Sequence, residues 1–413
     1  MTTTVSSPRA AGLGSGFRAQ LASTGSANLG DGVLGTLAPL VALTLTTSPA
    51  LISALTAAAW LPWLLFGIAA GVIIDRADRR RAQIVALTAR AAVLGVGAAL
   101  SATGRLTMPV LIALLLIYGT TEVFADLGAT SIVPDLVAAD QLPAANGRVI
   151  GVQQVANTFL GTPLAGVLIV AGAAVGFGVS AAMAALAALI LLVALRGDFR
   201  KVSDGSARTG QVRAGLAFLV GHPVLRPLVI TSSLLNLAST AYFAVFVLWA
   251  VGPTSAVGLS PEHYPFITLG LAVGAVAGSM VAARLQARLG EKRTIIGALV
   301  ASVLLMLVPV LWPTPFALAL AFTLVGVTNT VGDVLSQSLR QRLVPGALLG
   351  RIGGASRTLS YGLMPLGALL GGVLAQATGL TATFYAAVVV SLAACGYLAN
   401  ALRHADLSTS AAG

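Results

Sequence analysis

Long apolar stretches are the feature that most limits what this chain can fold into. Twelve of them, separated by short polar segments, fill most of its 413 residues. Each has about the length that an α-helix needs to cross a bilayer, roughly 20 residues. They do not alternate as strands do, and a chain that spans lipid must form helices or a closed barrel. The predicted helix limits are 18–46, 50–74, 82–103, 108–134, 148–170, 173–195, 225–251, 262–285, 293–311, 315–339, 350–376 and 380–402.

The composition favours a polytopic membrane protein. Hydrophobic residues make up 57% of the chain and charged residues only 9%, against about 25% in an average soluble domain. So few charges cannot cover a soluble globule of this size, which excludes a cytosolic enzyme, a secreted disulfide scaffold and a disordered chain. The single cysteine, Cys395, forms no intrachain disulfide. Neither a Walker A motif nor a Cys–His cluster is present, so we expect no enzyme activity, no metal and no cofactor.

The uneven distribution of Lys and Arg among the loops predicts the orientation of the chain. One side of the membrane collects almost all of these residues, whereas the other side holds only Arg105, and Arg90 falls inside a span. Because positively charged loops stay in the cytoplasm, we expect a plasma-membrane protein with both termini inside. An even number of spans is needed to keep this pattern. The net charge of +11 is therefore a topology signal, which indicates the lipid bilayer and no nucleic acid as a partner.

The chain divides into two halves. The longest connection, 196–224, separates a predicted six-helix bundle at 18–195 from a second at 225–403. This connection is expected to be a cytoplasmic linker with an amphipathic segment, and 1–17 and 404–413 are expected to be cytoplasmic tails, the first of them disordered. The two halves also resemble each other, because residues 119–126 (GTTEVFAD) align with 326–333 (GVTNTVGD). A duplicated unit of this kind predicts a transporter with its substrate site near the midplane, between the halves.

One loop carries a family resemblance. Residues 71–81 read GVIIDRADRRR and resemble the loop signature of the major facilitator superfamily, Gly-x-Leu-Ala-Asp-Arg-x-Gly-Arg-Arg, with Asp78 in place of the second glycine. The segments 28–32, 134–137, 145–148 and 340–345 are similar to the branch that contains the enterobactin exporter and the macrolide and other multidrug exporters.

The resemblance implies an all-α membrane protein with the major facilitator fold: twelve transmembrane helices in two pseudo-symmetric six-helix bundles. It also implies proton-coupled export by alternating access. Residues 161–166 (GTPLAG) are similar to the antiporter signature Gly-x-x-x-Gly-Pro-x-x-Gly-Gly. They depart from it at Thr162 and at Val167, which follows the last glycine.

The same loop suggests a gate on the cytoplasmic side. Gly71 would let two helices approach closely, and the carboxylate of Asp75 would face the N-terminus of another helix, where negative charge is favoured. In the family that helix is the eleventh, which is predicted here to start near Gly350. With Arg76 and Arg79, this contact would hold the two halves together. The alternative is that these charged residues only set the topology.

Ionisable residues inside the spans are the main candidates for the site, because such groups are costly in a membrane and usually functional. Asp31 and Glu122 lie near the midplane at 1.5 Å per residue. In this fold their helices line the central cavity, so we expect the two to share a site for proton coupling or cation recognition. Burial and a like-charged neighbour both favour the protonated form of a carboxyl group. The alternative is a neutral carboxyl in a buried hydrogen-bond network.

Two further acids are expected nearer the cytoplasm. Asp126 follows Glu122 by one turn and lies at the same depth as Arg90, which predicts an Arg90–Asp126 ion pair with a structural or gating role. Direct proton coupling by Asp126 is the alternative. Asp333, the repeat mate of Asp126, is expected to act as a gate with Arg340 or Arg357.

Polar side chains in the spans could line the substrate cavity. Hydrogen bonds between helices are an equal alternative for each of them, worth about 0.6 kcal/mol per contact. The candidates are Asn28, Asn157, Asn236, Tyr242 and Asn329.

Together the sequence predicts a monomeric secondary active transporter. It would export a hydrophobic or amphiphilic small molecule, a drug or natural product, in exchange for protons. Two alternatives stay open: an importer or symporter on the same fold, and a receptor or scaffold that transports nothing. The ionisable residues inside the spans argue against the second.

Overall fold

The computed structural model describes residues 14–138, 141–200, 220–344 and 361–403. Within them, eleven helices are long and apolar enough to cross a membrane, and a twelfth apolar helix is shorter. Numbered by span, the helices are α1 (Ser15–Leu45), α2 (Pro49–Arg76), α3 (Arg79–Ala102), α4 (Met108–Leu136), α5 (Leu142–Gln154, Val155–Gly161 and Thr162–Ala171), α6 (Ala173–Ala194), α7 (Leu225–Ala250), α8 (Tyr264–Thr268 and Gly270–Leu289), α9 (Glu291–Leu305 and Val308–Leu311), α10 (Pro315–Leu343), α11 (Met364–Thr378) and α12 (Leu380–Arg403).

Several helix ends follow from local sequence. Ser48 caps α2 by accepting a hydrogen bond from the Leu51 N–H, and Pro49 occupies the first helical position, where its missing N–H costs nothing. Asp78 caps α3, since its side chain accepts from the N–H groups of Arg80 and Arg81 at 2.9 and 3.2 Å. The residue that departs from the family loop signature is therefore the N-cap of the third helix.

The fifth span differs from the predicted uniform helix at 148–170. It begins at Leu142 and contains a π-helical turn, Val155–Gly161. Pro163 has no N–H to offer to the preceding turn, and the Thr162 N–H instead bonds to the Asn157 carbonyl five residues back. The wider turn also lies where glycines of α1 and α5 touch, because a Cβ on Gly161 would come within 2.8 Å of the Gly32 Cα.

Contacts join the first six helices into one bundle and the last six into a second. Examples are the contacts of α1 with α6, of α3 with α6 and of α8 with α10. Some predicted features lie outside the described residues. These are most of the amphipathic linker segment, most of the two tails, and the residues 345–360 in which the eleventh helix was predicted to begin. The proposed domain limits stay a prediction.

The two halves meet mainly through α2 and α11. The start of α1 and the end of α12 lie on one side of the molecule, called here the termini side, and the opposite side is called the far side. Near the far side Ser48 Oγ donates to Gln376 Oε1 at 3.1 Å, and Gly372 packs on Ser53. Closer to the midplane, the rings of Trp60 and Tyr361 lie 6.0 Å apart. Among the described residues, the contact between halves therefore runs from the far side to about the middle of the bundle.

Candidate functional site

Three charged side chains meet in the middle of the first bundle. Arg90 of α3 lies between Asp31 of α1 and Glu122 of α4. Its Nη1 donates to Asp31 Oδ1 at 2.7 Å, and its Nη2 donates to Glu122 Oε2. At 1.5 Å per residue the three lie roughly 16 to 24 Å from the termini-side ends of their helices. We call Asp31, Arg90 and Glu122 the acidic triad.

Two neighbours on α4 complete the arrangement. The Tyr118 hydroxyl donates to Asp31 Oδ1 at 2.7 Å, and the Arg90 guanidinium lies 5.1 Å from the centre of the Tyr118 ring, a cation–π distance. Arg90 Nε also donates to Thr121 Oγ1 at 3.4 Å. Sequence reasoning missed Tyr118, although it lies one turn from Glu122 and hence on the same face of α4.

The charges of the triad do not cancel. With both carboxyls ionised, two negative groups face one guanidinium, so the cluster carries a net charge of −1. The Arg90 side chain is only 2% exposed and that of Asp31 9%, whereas Glu122 is 28% exposed. A buried charge without a partner is costly. Because one proton would remove the excess charge, the triad is chemically suited to take up and release a single proton.

The prediction that Arg90 pairs with Asp126 is wrong. Arg90 uses its two terminal nitrogens on Asp31 and Glu122, while Asp126 Oδ1 accepts from Gln153 Nε2 of α5 at 3.4 Å. Equal depth on adjacent helices was too weak a criterion, because a guanidinium reaches a full turn along its neighbour. The expected meeting of Asp31 and Glu122 does occur, through the arginine that separates them.

The triad borders a polar cavity between α1, α3, α4 and α5. Its volume is about 30 Å³, which is room for one or two water molecules. It extends from the triad toward the termini side. The polar and charged residues that line it are Gln20, Ser23, Thr24, Asn28, Asp31, Gln83, Arg90, Glu122, Asp126 and Gln153.

Of the asparagines predicted to line the substrate cavity, Asn28 lines this polar cavity within the first bundle, and its Nδ2 donates to the Thr24 carbonyl at 2.9 Å; its role toward a substrate stays a prediction. Asn157 lies in the π-helical turn, where its carbonyl accepts from the Thr162 N–H. Asn236 of α7 is partly buried, and its carbonyl accepts from Thr240. Asn329 accepts from Ser302 of α9 at 2.5 Å, so its side chain joins two helices of the same half.

The prediction for Tyr242 needs correction. The residue is fully buried, and its hydroxyl donates to the Met306 carbonyl at 3.0 Å. Its ring stacks on Phe246 and tilts against Phe384, at centroid distances of 5.4 and 4.4 Å. Tyr242 thus belongs to an aromatic core in the second half and does not line a cavity in this structure.

The loop between α2 and α3 makes its described contacts within the first half. Arg79 pairs with Asp135 at the end of α4 at 2.6 Å, and Arg80 donates to the carbonyls of Leu191 and Leu192 at the end of α6. Arg76 is exposed. Arg79 and Arg80 therefore bind the termini-side ends of α3, α4 and α6 together.

The remaining gating candidates stay predictions. None of the described residues comes within 4 Å of the position that a Cβ would take on Gly71. The side chain of Asp75 lies outside the described atoms, as do Gly350 and Arg357. Asp333 of α10 is exposed. Its carboxylate is attracted electrostatically by Arg340, two turns further along the same helix.

Two relatives match this chain over most of its length. The multidrug efflux pump Tap of Mycobacterium tuberculosis is 28% identical over 424 residues, covering 95% of this chain and 95% of that protein. The enterobactin exporter EntS of Escherichia coli O1:K1 is 28% identical over 360 residues, covering 84% and 82%.

Solved structures share the architecture at lower identity. The nucleoside transporter NupG superposes with a TM-score of 0.74 at 16% identity, over 94% of this chain and all of that one. A bacterial homologue of the human lysosomal transporter Spinster, in an inward-facing and unoccupied conformation, gives 0.69 at 16% identity over 94% and 96%. This similarity shows the major facilitator fold alone.

The family assignment rests on nearly the whole chain. Residues 14–411 match the family of transmembrane secretion effectors, and the named relatives are transporters of the major facilitator superfamily. The protein is a multi-pass membrane transporter, and it belongs to the transmembrane secretion effector family of the major facilitator superfamily.

Proposed function

We propose that this transporter exports a hydrophobic or amphiphilic small molecule in exchange for protons, by alternating access. The observation that carries the proposal is the acidic triad, a buried cluster in the middle of a membrane-spanning bundle with one more carboxylate than cation. Costly buried charges of this kind are retained in membrane proteins for ion or substrate pathways. The names of the relatives Tap and EntS, an efflux pump and an exporter, support export as the direction.

The orientation follows from the distribution of Lys and Arg. With basic loops inside, the termini side is the cytoplasmic side of the plasma membrane and the far side is the outside. The contact between α2 and α11 then closes the outer half of the path between the bundles. We infer that the triad exchanges protons with the cytoplasm in such a conformation, and that a monomer is sufficient for transport.

The coupling follows from the charge of the triad. A proton taken up from the outside neutralises one carboxyl group. Arg90 then forms an ion pair with the other carboxylate alone. Release of that proton to the cytoplasm restores the net negative charge, which favours a neutral or cationic substrate over an anionic one. Asp126, one turn nearer the cytoplasm and bonded to Gln153, is a relay between the triad and the cytoplasmic water.

The gate on the cytoplasmic side is assigned to the loop between α2 and α3. We expect Gly71, Asp75 and Arg76 to meet α11 when the cytoplasmic half closes, and Asp333 to contribute from α10. Arg79 supports this gate from within the first half through its ion pair with Asp135.

Proton antiport can be measured directly in proteoliposomes with an acidic lumen. A lipophilic probe such as tetraphenylphosphonium, or a neutral lipophilic compound, is added outside while lumenal pH is followed. Antiport predicts that the compound enters as protons leave, so that lumenal pH rises only when the compound is present. Glu122→Gln and Asp31→Asn should abolish this coupling. The matched control is Glu262→Gln, in the loop between α7 and α8 and outside the cavity that borders the triad.

Each other outcome favours a named alternative. Proton movement in the same direction as the compound would indicate a symporter. Coupled movement unchanged in both triad variants would overturn the role of the triad. Binding of a partner protein without flux of any compound would favour a receptor or scaffold.

A further inference from the structure

A chain of polar side chains leads from the acidic triad toward the termini side, inside the first bundle. Its members lie on α1 and α3 and line the same cavity. We call this set the polar column: Gln20, Ser23, Thr24, Asn28 and Gln83. Gln20 and Gln83 lie only roughly 6 to 8 Å from the first residues of their helices, at 1.5 Å per residue. The column therefore spans most of the distance between the triad and the termini side.

Hydrogen bonds connect Gln20, Thr24 and Gln83 through their side chains and Asn28 through the Thr24 carbonyl, whereas the Ser23 hydroxyl donates to the Ala187 carbonyl of α6. Gln20 Nε2 donates to Gln83 Oε1 at 3.0 Å and to Thr24 Oγ1 at 3.3 Å. Asn28 donates to the Thr24 carbonyl at 2.9 Å, one turn before Asp31. The positions of Gln20, Thr24, Asn28 and Asp31 are thus spaced by about one helical turn, from the termini-side end of α1 to the triad.

One atom of the column lacks a partner. Gln20 is 1% exposed and its Oε1 accepts no hydrogen bond within the described part of the chain. Buried polar atoms are nearly always hydrogen-bonded, to protein or to ordered water. Gln20 also lines the cavity that reaches Asp31 and Glu122, whose 30 Å³ accommodates water. An acceptor beside such a space is a binding position for a water molecule.

Among the described residues, four charged side chains line this space. Asp31 faces it from α1, Arg90 from α3, and Glu122 and Asp126 from α4, while α5 contributes the neutral Gln153. Tyr118 donates a hydrogen bond to Asp31 but is not among the residues that line the space. The column itself contains no ionisable side chain, so it cannot hold a proton for long and is suited to pass one along.

We propose that the polar column holds ordered water and conducts protons between the acidic triad and the cytoplasm, within the first bundle and apart from the substrate path between the bundles. The proposal rests on the proposed antiport. In the conformation described, the protonated carboxyl gives its proton to the column water, and the resulting carboxylate pairs with Arg90 again. Protons and substrate can then leave or enter on the cytoplasmic side without sharing one passage.

Wild-type protein alone gives the first test, by hydroxyl-radical footprinting with X-rays in lipid nanodiscs. Radicals form at bound water and modify the side chains beside it. Leu87 and Leu94 are both buried on α3, but Leu87 lines the cavity and Leu94 lies in the apolar core. Modification of Leu87 well above that of Leu94 is expected. Equal protection of the two would overturn the hydrated column.

Variants give the second test. Gln20→Met and Gln83→Met remove the polar ends and keep the length; Met is chosen because Gly128 packs on Gln83 Cγ and leaves no room for a branch there. After a pH jump, we expect the infrared carboxyl bands of each variant to change roughly tenfold more slowly than those of wild type. A factor of this size corresponds to the loss of one hydrogen bond. Exchange of labelled for unlabelled tetraphenylphosphonium at equal pH should stay unchanged. The control is Gln154→Met on α5, which is exposed.

The outcomes separate the two proposals. Carboxyl bands that respond as fast in both variants as in wild type would overturn the column while leaving the antiport intact. Coupling that persists in Glu122→Gln and in Asp31→Asn would overturn the antiport itself. The exchange measurement reports whether each variant is folded.

Discussion

Arg90 is a counter-ion that the protein carries inside its own site. The residue is fully buried and bonds to acids from two other helices. These contacts offset the free energy of burying the guanidinium charge, since a buried charge is tolerated only when it is paired and hydrogen-bonded. Arg90 therefore holds α1, α3 and α4 together as well as setting the charge of the site.

Removing this charge should destabilise the protein strongly. Arg90→Gln leaves the carboxylates of Asp31 and Glu122 without their shared cation, and breaking a buried pair costs about 3–5 kcal/mol. Thermal unfolding in detergent should show a much lower midpoint, partly restored in Arg90→Gln/Glu122→Gln. Arg105→Gln in an exposed loop is the control. An unfolding midpoint like that of wild type would contradict the role of Arg90 as the shared partner.

Tyr118 should contribute through its hydroxyl alone. Tyr118→Phe keeps the ring over Arg90 but removes the donor to Asp31. A hydrogen bond to a charged group is worth about 1.5–3 kcal/mol, and stability in detergent should fall by that amount. Tyr385→Phe, at an exposed position on α12, should change nothing. Equal stability of the two variants would mean that the hydroxyl is not coupled to the site.

At this scale the sequence was a partial guide. Periodicity and depth were enough to bring Asp31 and Glu122 together, because helix rise fixes depth regardless of packing. The rotation of each helix about its axis was not available, so Arg90 was assigned to the wrong acid. Tyr242 was misplaced because a backbone carbonyl, which no sequence pattern marks, satisfies its hydroxyl.

The crossing of α1 and α5 depends on the absence of side chains. Gly32 lies against the backbone of Asn157 in the π-helical turn, and a Cβ there would overlap the Asn157 carbonyl. Glycines let membrane helices approach in this way. The turn, the proline that follows it and the glycine opposite thus form one local arrangement.

Gly32→Ala should therefore be costly. Inserting a methyl group into a packed contact costs about 1–3 kcal/mol, and here the obstacle is backbone that cannot rotate away. Gly35→Ala, one turn further on the same helix with open space around it, should gain up to about 1 kcal/mol from helix propensity. Unfolding of both variants in the same detergent measures the difference. A Gly32→Ala variant as stable as Gly35→Ala would show that the two helices are not held this close.

The two halves carry comparable ion pairs between equivalent helices. In the first half Arg79 of α3 pairs with Asp135 of α4, and in the second Glu291 of α9 pairs with Arg342 of α10. The same helix pair is closed by an ion pair of opposite polarity. Helix number and order were predictable because bilayer thickness fixes span length. The irregular α5 was not, since a π-helical turn has no periodicity of its own.

Over the whole molecule, the contact between α2 and α11 should open for transport to occur. Ser48→Cys/Gln376→Cys, whose native side chains bond across the halves, can be joined by a short thiol cross-linker, with the buried Cys395 replaced by serine. The linked protein should lose transport and regain it on cleavage of the linker. Ser26→Cys/Met183→Cys joins two helices of one half and should transport when linked. Transport by the linked Ser48–Gln376 pair would exclude alternating access through this contact.

All charged groups of the triad lie in the first bundle. Their net charge has an energetic consequence for export. If one proton balances the cluster, each cycle carries one positive charge inward. Export of a neutral compound is then electrogenic, and the membrane potential adds about 2.3 kcal/mol per 100 mV to its driving force, whereas export of a monovalent cation is electroneutral. Valinomycin and potassium set the voltage across proteoliposomes, and neutral-compound uptake alone should follow it. One buried arginine would thus decide which compounds the cell can expel with its voltage and which only with its pH gradient.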